Sequence, residues 1–397
     1  MFTYKSALSA LYFSVFLYFE YLGLRIEFLN TSFALLAIFS LYVLTRKELF
    51  AVGFIVSILW FWWIGYSFIY YDLIYFVPIV LIAIGFVYGV LFYSIGLFNN
   101  ILYKIGFIFA ISFIEPFGFN WFKFELPFIY SYLGTSKSEF FLILLSLGLF
   151  SYYRKIYKKR SILLLFSILL SLYFYNKFNI KTIQEPSLKI VKYSTQIEQN
   201  KKWNVRYKEE ILEDNFDAIE NAVNKNFDVI VFPETAFPLV LNKNEIMDER
   251  LRLLSYKISV VTGSLYLKDG LYYNSTYFYQ NGDRQVAHKV VLVPFGEAVP
   301  MPEKIRNFIN DFFYNGAKDY ETAKKPTSFM IKNTKFRNAI CYEITTDEIY
   351  ENLDTPYVIA ISNNAWFTPS IQPTLQKLLM QYYKNRYNLY YIDVTNR

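Results

Sequence analysis

The sequence predicts a multi-pass α-helical membrane domain followed by an α/β domain. Long apolar runs with few charges fill residues 1–180, whereas most acidic and basic residues lie after Lys181. From Leu188 onward, short runs rich in Val, Ile, Phe and Tyr alternate with amphipathic helical stretches, the pattern of a layered α/β domain with buried strands. The overall hydrophobic content of 54% decides little, because a soluble domain also sits near half apolar. Its uneven distribution indicates two parts that live in different solvents, divided as residues 1–180 and 181–397.

A hydrocarbon core about 30 Å thick needs about 20 apolar helical residues to cross it. Seven segments qualify, near residues 7–24, 28–45, 49–71, 73–98, 101–119, 139–153 and 161–178. With the N-terminus in the cytoplasm, the inner positions hold Lys5, Arg46, Lys47, Lys104, Arg154, Lys155, Lys158, Lys159 and Arg160, against Arg25, Lys123 and Lys137 outside. That asymmetry satisfies the positive-inside rule. An odd number of spans then places the second domain outside the cytoplasm. The net charge of +7 reads the same way, as basic residues beside anionic lipid, and no recognition helix or phosphate loop argues for nucleic acid.

The second part predicts strands at Leu188–Tyr193, Phe227–Phe232, Ile258–Leu265, Tyr272–Tyr279, Gln285–Val291, Phe336–Cys341, Tyr357–Ser362 and Tyr390–Thr395. Helices are expected at Val205–Lys225 and near residues 243–256, 302–312 and 371–387, with a hairpin turn at Asn281-Gly282. The chain has one cysteine, Cys341, and one histidine, His288, so neither an intrachain disulfide nor a Cys/His metal cage can form. No cofactor or metal is called for.

Three motifs stand at strand ends, where α/β domains place their chemistry. In Phe232-Pro233-Glu234-Thr235-Ala236-Phe237-Pro238, Glu234 leaves an apolar strand and is a candidate general base. In the run from Lys289 to Glu297, Lys289 offers a cation and Glu297 a carboxylate after a Pro-Phe-Gly turn. In Ala339-Ile340-Cys341-Tyr342-Glu343, a thiol emerges with a carboxylate two residues on. Most buried cysteines are inert small hydrophobes; a reactive one needs a nearby base or positive charge. His288 and Lys289 are both candidates for that help, yet neighbours on a strand face opposite ways, so they cannot both face Cys341. The residues alone leave open a Cys–His and a Glu–Lys–Cys site.

Glu234 in PETAFP, Lys289 in KVVLVPFGEAVP and Cys341 in CYE together resemble the Glu–Lys–Cys triad of the nitrilase superfamily. More narrowly they resemble its membrane-embedded branch, the apolipoprotein N-acyltransferases, with weaker support from Tyr273-Asn274-Ser275 and the run from Ser362 to Phe367. The resemblance implies an α-β-β-α sandwich on a membrane anchor, with Cys341 as nucleophile, Glu234 as general base and Lys289 as oxyanion stabiliser. It implies supporting roles for Glu297, Glu343, Tyr342 and Trp203. The implied partners are the membrane, a phospholipid acyl donor and a diacylglyceryl apolipoprotein acceptor, at the periplasmic side of a bacterial inner membrane. A membrane-tethered amidase and an inactive lipoprotein-binding relic are the alternatives. The segment Phe237–Leu241 is expected either as a lipid-contacting arm or as core. Asn364 and Thr368 depart from the family pattern, and the chain stops at Arg397, roughly where that pattern continues.

Overall fold

The computed structural model describes residues 2–70, 73–154, 158–178, 183–294, 296–299, 302–304, 306–307 and 319–397. By its contacts the chain divides into two units: residues 1–181 with 370–386, and residues 182–369 with 387–397.

In the first unit, helices Tyr4–Tyr21, Glu27–Val43, Arg46–Phe61, Val77–Ile95, Ile101–Ile111, Lys137–Tyr153 and Lys158–Phe178 overlie the seven apolar segments. Among the described residues, Arg46–Ile69, Ile74–Ile95 and Ile101–Gly118 are long and apolar enough to cross a membrane, and Glu27–Val43 is a shorter apolar helix. Helix Val77–Ile95 shows why such a helix suits lipid. Ile79, Ile82, Phe86 and Val90 form an exposed apolar stripe, while Gly85, Tyr88, Gly89 and Phe92 on another face are buried. Gly53 explains that packing: a Cβ there would stand 2.3 Å from the Tyr88 carbonyl oxygen, so only glycine lets the two backbones approach. Helix Gln372–Tyr387 belongs to this unit through Arg386, an assignment the sequence pattern does not reveal.

The second unit holds two sheets. The first has order β1-β2-β3-β4-β5, with β1 Ile190–Lys192, β2 Val229–Val231, β3 Ser259–Lys268, β4 Leu271–Gln280 and β5 Asp283–His288. The second has order β6-β7-β8-β9, with β6 Ser328–Ile331, β7 Thr334–Ile340, β8 Tyr357–Asn363 and β9 Tyr390–Asn396. Parallel pairs lie at β1–β2–β3 and β7–β8–β9, and antiparallel pairs elsewhere. Strand alternation builds the layers. Val229, Val231, Val261, Phe278 and Ala287 pack against Phe336, Ile340, Ile359, Ile361 and Val394 between the sheets. On the opposite face of the first sheet, Ile230, Val260 and Tyr277 pack against Leu212, Phe216 and Ile219 of helix Val205–Asn224 and Leu251 of helix Glu245–Leu254. Asn281 and Gly282 make the two-residue hairpin with φ of 54° and 81°.

Two expectations change and one open alternative is decided. Strand β6 is an addition. The strand expected through Val291 ends at His288, because the Val290 and Val291 N–H groups turn to the Glu343 carboxylate instead of a neighbouring strand. The segment Phe237–Leu241 is core, not a lipid arm: Phe237, Leu239 and Leu241 are buried in the cluster under helix Val205–Asn224. Most of the helix expected over 302–312 lies outside the described residues, as do Phe295 and Pro300.

Candidate active site

Each of the three triad candidates stands just past the C-terminal end of a strand. Glu234 follows β2, Lys289 follows β5, and Cys341 follows β7. Two of these exits bend through left-handed backbone at non-glycine residues, Thr235 with φ 49° and Cys341 with φ 55°. Such residues cost about 1–3 kcal/mol each and persist only where surrounding bonds hold them. Around Cys341 the Glu343 carboxylate supplies those bonds. Its Oε1 accepts the Ile340 N–H at 2.8 Å, and its Oε2 accepts the N–H groups of Val290 at 2.8 Å and Val291 at 3.3 Å. One buried carboxylate thereby ties the thiol's turn to the segment that follows Lys289. Around Glu234 the decisive feature is Gly263 on β3, where a Cβ would stand 2.4 Å from the Thr235 nitrogen and 2.7 Å from the Glu234 Cα. Only a glycine lets the base loop sit on the strand this closely.

The side chains converge. Lys289 is fully buried; its Nζ lies 2.7 Å from Glu297 Oε2 and 4.0 Å from Glu234 Oε1. The Asn274 amide donates to Glu234 Oε1 at 2.7 Å and to Glu297 Oε1 at 3.0 Å, bridging the two carboxylates. Glu234 Oε2 accepts the Asn363 N–H at 2.8 Å, and Glu297 Oε2 accepts the Val293 N–H at 2.9 Å. Asn363 is held in turn, its amide donating to Gln199 Oε1 at 2.9 Å and its oxygen accepting from Asn396 at 2.8 Å.

Cys341 is half-buried and close enough to Glu234, Lys289 and Glu297 for their charges to act on it. Burial pushes its thiol above the usual range; the Glu234 carboxylate adds to that, while Lys289 and the Asn363 N–H oppose it. Burial alone would lower the lysine, but Glu297, Glu234 and Cys341 together hold the Lys289 ammonium above its usual range. Burial pushes Glu343 up to about 7 against Lys289 and its three N–H donors. The resting site thus favours a protonated thiol beside an ammonium paired with carboxylates, and Glu234 is fixed by two N–H donors. That arrangement can move a proton off sulfur once a carbonyl is bound.

His288 points elsewhere. Its Nδ1 lies 2.7 Å from Ser275 Oγ, and its ring packs between Tyr266 and Tyr273 at centroid separations of 4.7 and 4.5 Å. Of the supporting residues, Glu297 and Glu343 are in the network and Tyr342 is buried beside it. Trp203 stands at the end of the one-turn helix Gln199–Lys202 with 42% of its surface exposed. Lys202 escaped the sequence reading: it is buried, and its Nζ donates to the Glu234 carbonyl at 2.8 Å. Its place in a polar Asn-Lys-Lys run gives no hint of burial. Among the described residues no group of His, Cys, Asp and Glu could hold a metal ion.

Residues 1–172 match the family described as the apolipoprotein N-acyltransferase integral membrane domain, and residues 194–397 match the carbon-nitrogen hydrolase family. The chain is 40% identical over 389 residues to an apolipoprotein N-acyltransferase of Wolinella succinogenes, covering 98% of this chain and 92% of that one. It is 35% identical over 378 residues to the Campylobacter jejuni protein of that name, with 93% and 82% covered. Identity to the Helicobacter pylori protein is 32% over 344 residues, with 86% and 80% covered.

Proposed function

The chain belongs to the apolipoprotein N-acyltransferase family and is an integral membrane enzyme with a carbon-nitrogen hydrolase domain; from that premise we propose that it moves an acyl chain from a phospholipid to a lipoprotein amine through Cys341. The observation that carries this reading is the convergence of Glu234, Lys289 and Cys341 from three strand ends.

In the first half, Glu234 accepts the thiol proton as Sγ attacks the ester carbonyl carbon. Negative charge develops on the carbonyl oxygen, and the Lys289 ammonium stabilises it, with Tyr342 contributing its backbone N–H or its packing. The C–O bond then breaks, the leaving lysophospholipid alkoxide takes the proton from Glu234, and a thioester remains on Cys341. In the second half, the α-amine of a diacylglyceryl-cysteine attacks the thioester. Glu234 takes a proton from that amine, the C–S bond breaks, and the thiol recovers its proton as the amide leaves. The thioester conserves the acyl bond's reactivity, so neither a metal nor a nucleotide enters the scheme. Glu297 positions Lys289, and Glu343 positions the Cys341 turn.

A membrane anchor suits these substrates, since drawing an acyl chain into water costs about 0.8 kcal/mol per CH₂. We place the enzyme in a bacterial inner membrane with residues 181–397 on the periplasmic side of seven spans, from the distribution of Lys and Arg. The test supplies a phospholipid labelled in its acyl chain and a diacylglyceryl-cysteine peptide. Label on the peptide amine is the expected result; label released only as free fatty acid would favour an amidase-like hydrolase.

A further inference from the structure

Lys202 takes no part in the scheme above, yet it is 1% exposed. A buried ammonium costs several kcal/mol unless it is paired. The local chain does not demand it, because Lys201 beside it meets Glu198 at the surface at 3.1 Å, and Trp203 on the other side is exposed. What Lys202 touches is the carbonyl of Glu234, at 2.8 Å. One residue on, Thr235 holds its left-handed φ of 49°, and on its far side the Ala236 carbonyl accepts from the Asn215 amide at 2.9 Å. Lys202 and Asn215 therefore clamp the strained residue from both sides.

The charge of Lys202 also matters. Burial draws its pKa down to about 7, while the Glu234 carboxylate and Cys341 both favour its charged form. Electrostatic coupling is mutual, so an ammonium there favours a carboxylate at Glu234 and a thiolate at Cys341. The charged groups gathered around this thiol are Glu234 after β2, Lys289 and Glu297 after β5, and Glu343 after β7. With Lys202 included, two lysines stand against three carboxylates, and a thiolate would add a fourth negative charge.

We propose that Lys202 is a positioning residue of this site: through the Glu234 carbonyl it fixes the turn that carries the base, and as a buried cation it stabilises the Cys341 thiolate. The proposal rests on the reading of Cys341 as the nucleophile. Three variants of the full chain in detergent separate its two parts. Lys202→Arg keeps donor and charge, Lys202→Gln keeps a donor without charge, and Lys202→Met keeps neither. The readouts are the rate of Cys341 alkylation by iodoacetamide as a function of pH, the thermal unfolding of each variant, and the rate at which phospholipid acylates Cys341. Alkylation is expected to be about tenfold slower in the Gln and Met variants near and below neutrality, where Lys202 is charged, and to match wild type in alkali, where Lys202 has lost its proton. The Arg variant is expected to alkylate near neutrality at close to the wild-type rate. Acylation is expected to fall from Arg to Gln to Met as the bond to Glu234 is weakened and lost.

A wild-type alkylation rate near neutrality in the Gln variant overturns the proposal, and so does an equal slowing in all three, since size rather than charge would then matter. Should the Met variant fail to fold, the Gln and Arg pair decides alone. Alkylation needs no lipid: charge-dependent slowing near neutrality in a protein that takes no acyl group from phospholipid would sink the functional reading and leave the role of Lys202 intact.

Discussion

Both units bury carboxylates and lysines, and they arrange them in opposite ways. In the helical unit Glu125 is fully buried, its Oε1 meeting Lys137 Nζ at 2.8 Å and the Tyr382 hydroxyl at 2.9 Å, while Lys123 meets Glu115 at 2.6 Å. Each of these lysines answers one carboxylate. In the α/β unit Glu234, Glu297 and Glu343 share one neighbourhood with Lys289, Lys202 and a thiol, and a single amide bridges two of the carboxylates. A closed pair fastens elements together. A crowded cluster sets proton affinities against one another, which is what a proton-transfer site requires. The same residue types therefore serve as fasteners in one unit and, in the scheme proposed above, as reagents in the other.

The contrast is sharpest if the same deletion is made in each unit. Lys289→Met removes the cation from the crowd and is expected to slow acylation of Cys341 about 10³-fold, the scale of losing an oxyanion donor. Lys137→Met breaks a fastener. It is expected to cost about 3–5 kcal/mol of stability by thermal unfolding, the scale of a broken buried pair, and to leave acylation by the folded fraction within a few-fold of wild type. Equal losses of acylation in the two folded proteins would erase the distinction.

Gly263→Ala tests the geometry without touching any charge. The added methyl must push the Glu234–Thr235 backbone off β3, and a displacement near 1 Å is expected to slow acylation about 10²-fold. Unchanged rates would mean that the base loop needs no such close seat.

Glu234→Gln tests the repulsion inside the crowd. Because the carboxylate raises the thiol's pKa, its neutral replacement is expected to lower the alkylation midpoint of Cys341 by about one pH unit, even as acyl transfer fails. A midpoint that rises would show Glu234 acting on the thiol only as a base.

The smallest effect belongs to a fastener within the α/β unit itself. Asp248 accepts from Arg284 at 2.8 Å, Arg252 at 2.9 Å and the Tyr279 hydroxyl at 2.6 Å. Burial would raise its pKa, but these three donors hold it below the usual carboxylate range. Its contribution is then present above the unfolded value and lost as pH falls through the lower folded one. Asp248→Asn is expected to cost about 1 kcal/mol near neutrality, a difference that fades in acid. A penalty that grew as the pH fell would contradict this.

The sequence made the strands and the three site motifs legible because each signal is local. Val-Ile-Val at 229–231 can only be a strand buried on both faces, and Glu234, Lys289 and Cys341 each follow such a run or its end. What stayed hidden depends on distant partners. Lys202 and Lys201 look alike in the chain, and only the fold buries one against the Glu234 carbonyl. The fate of Val290 and Val291 was masked in the same way: their β-branched pattern reads as strand, yet a carboxylate some fifty residues later takes their N–H groups. Asn274 and Asn363 stood in noted motifs, but their bonds to Glu234 come from strands in different sheets. Gln372–Tyr387 was readable as a helix, and nothing in its pattern told which unit would claim it.

The central claim is that the thiol of Cys341, served by Glu234 and Lys289, carries the acyl group. Intact-protein mass spectrometry after exposure to phospholipid tests it most directly. The expected result is a mass increase equal to one acyl group, mapped to Cys341, absent from Cys341→Ala and discharged by a diacylglyceryl-cysteine peptide. An unmodified Cys341 in protein that still acylates the peptide, or an acyl group carried on another residue, would contradict the account.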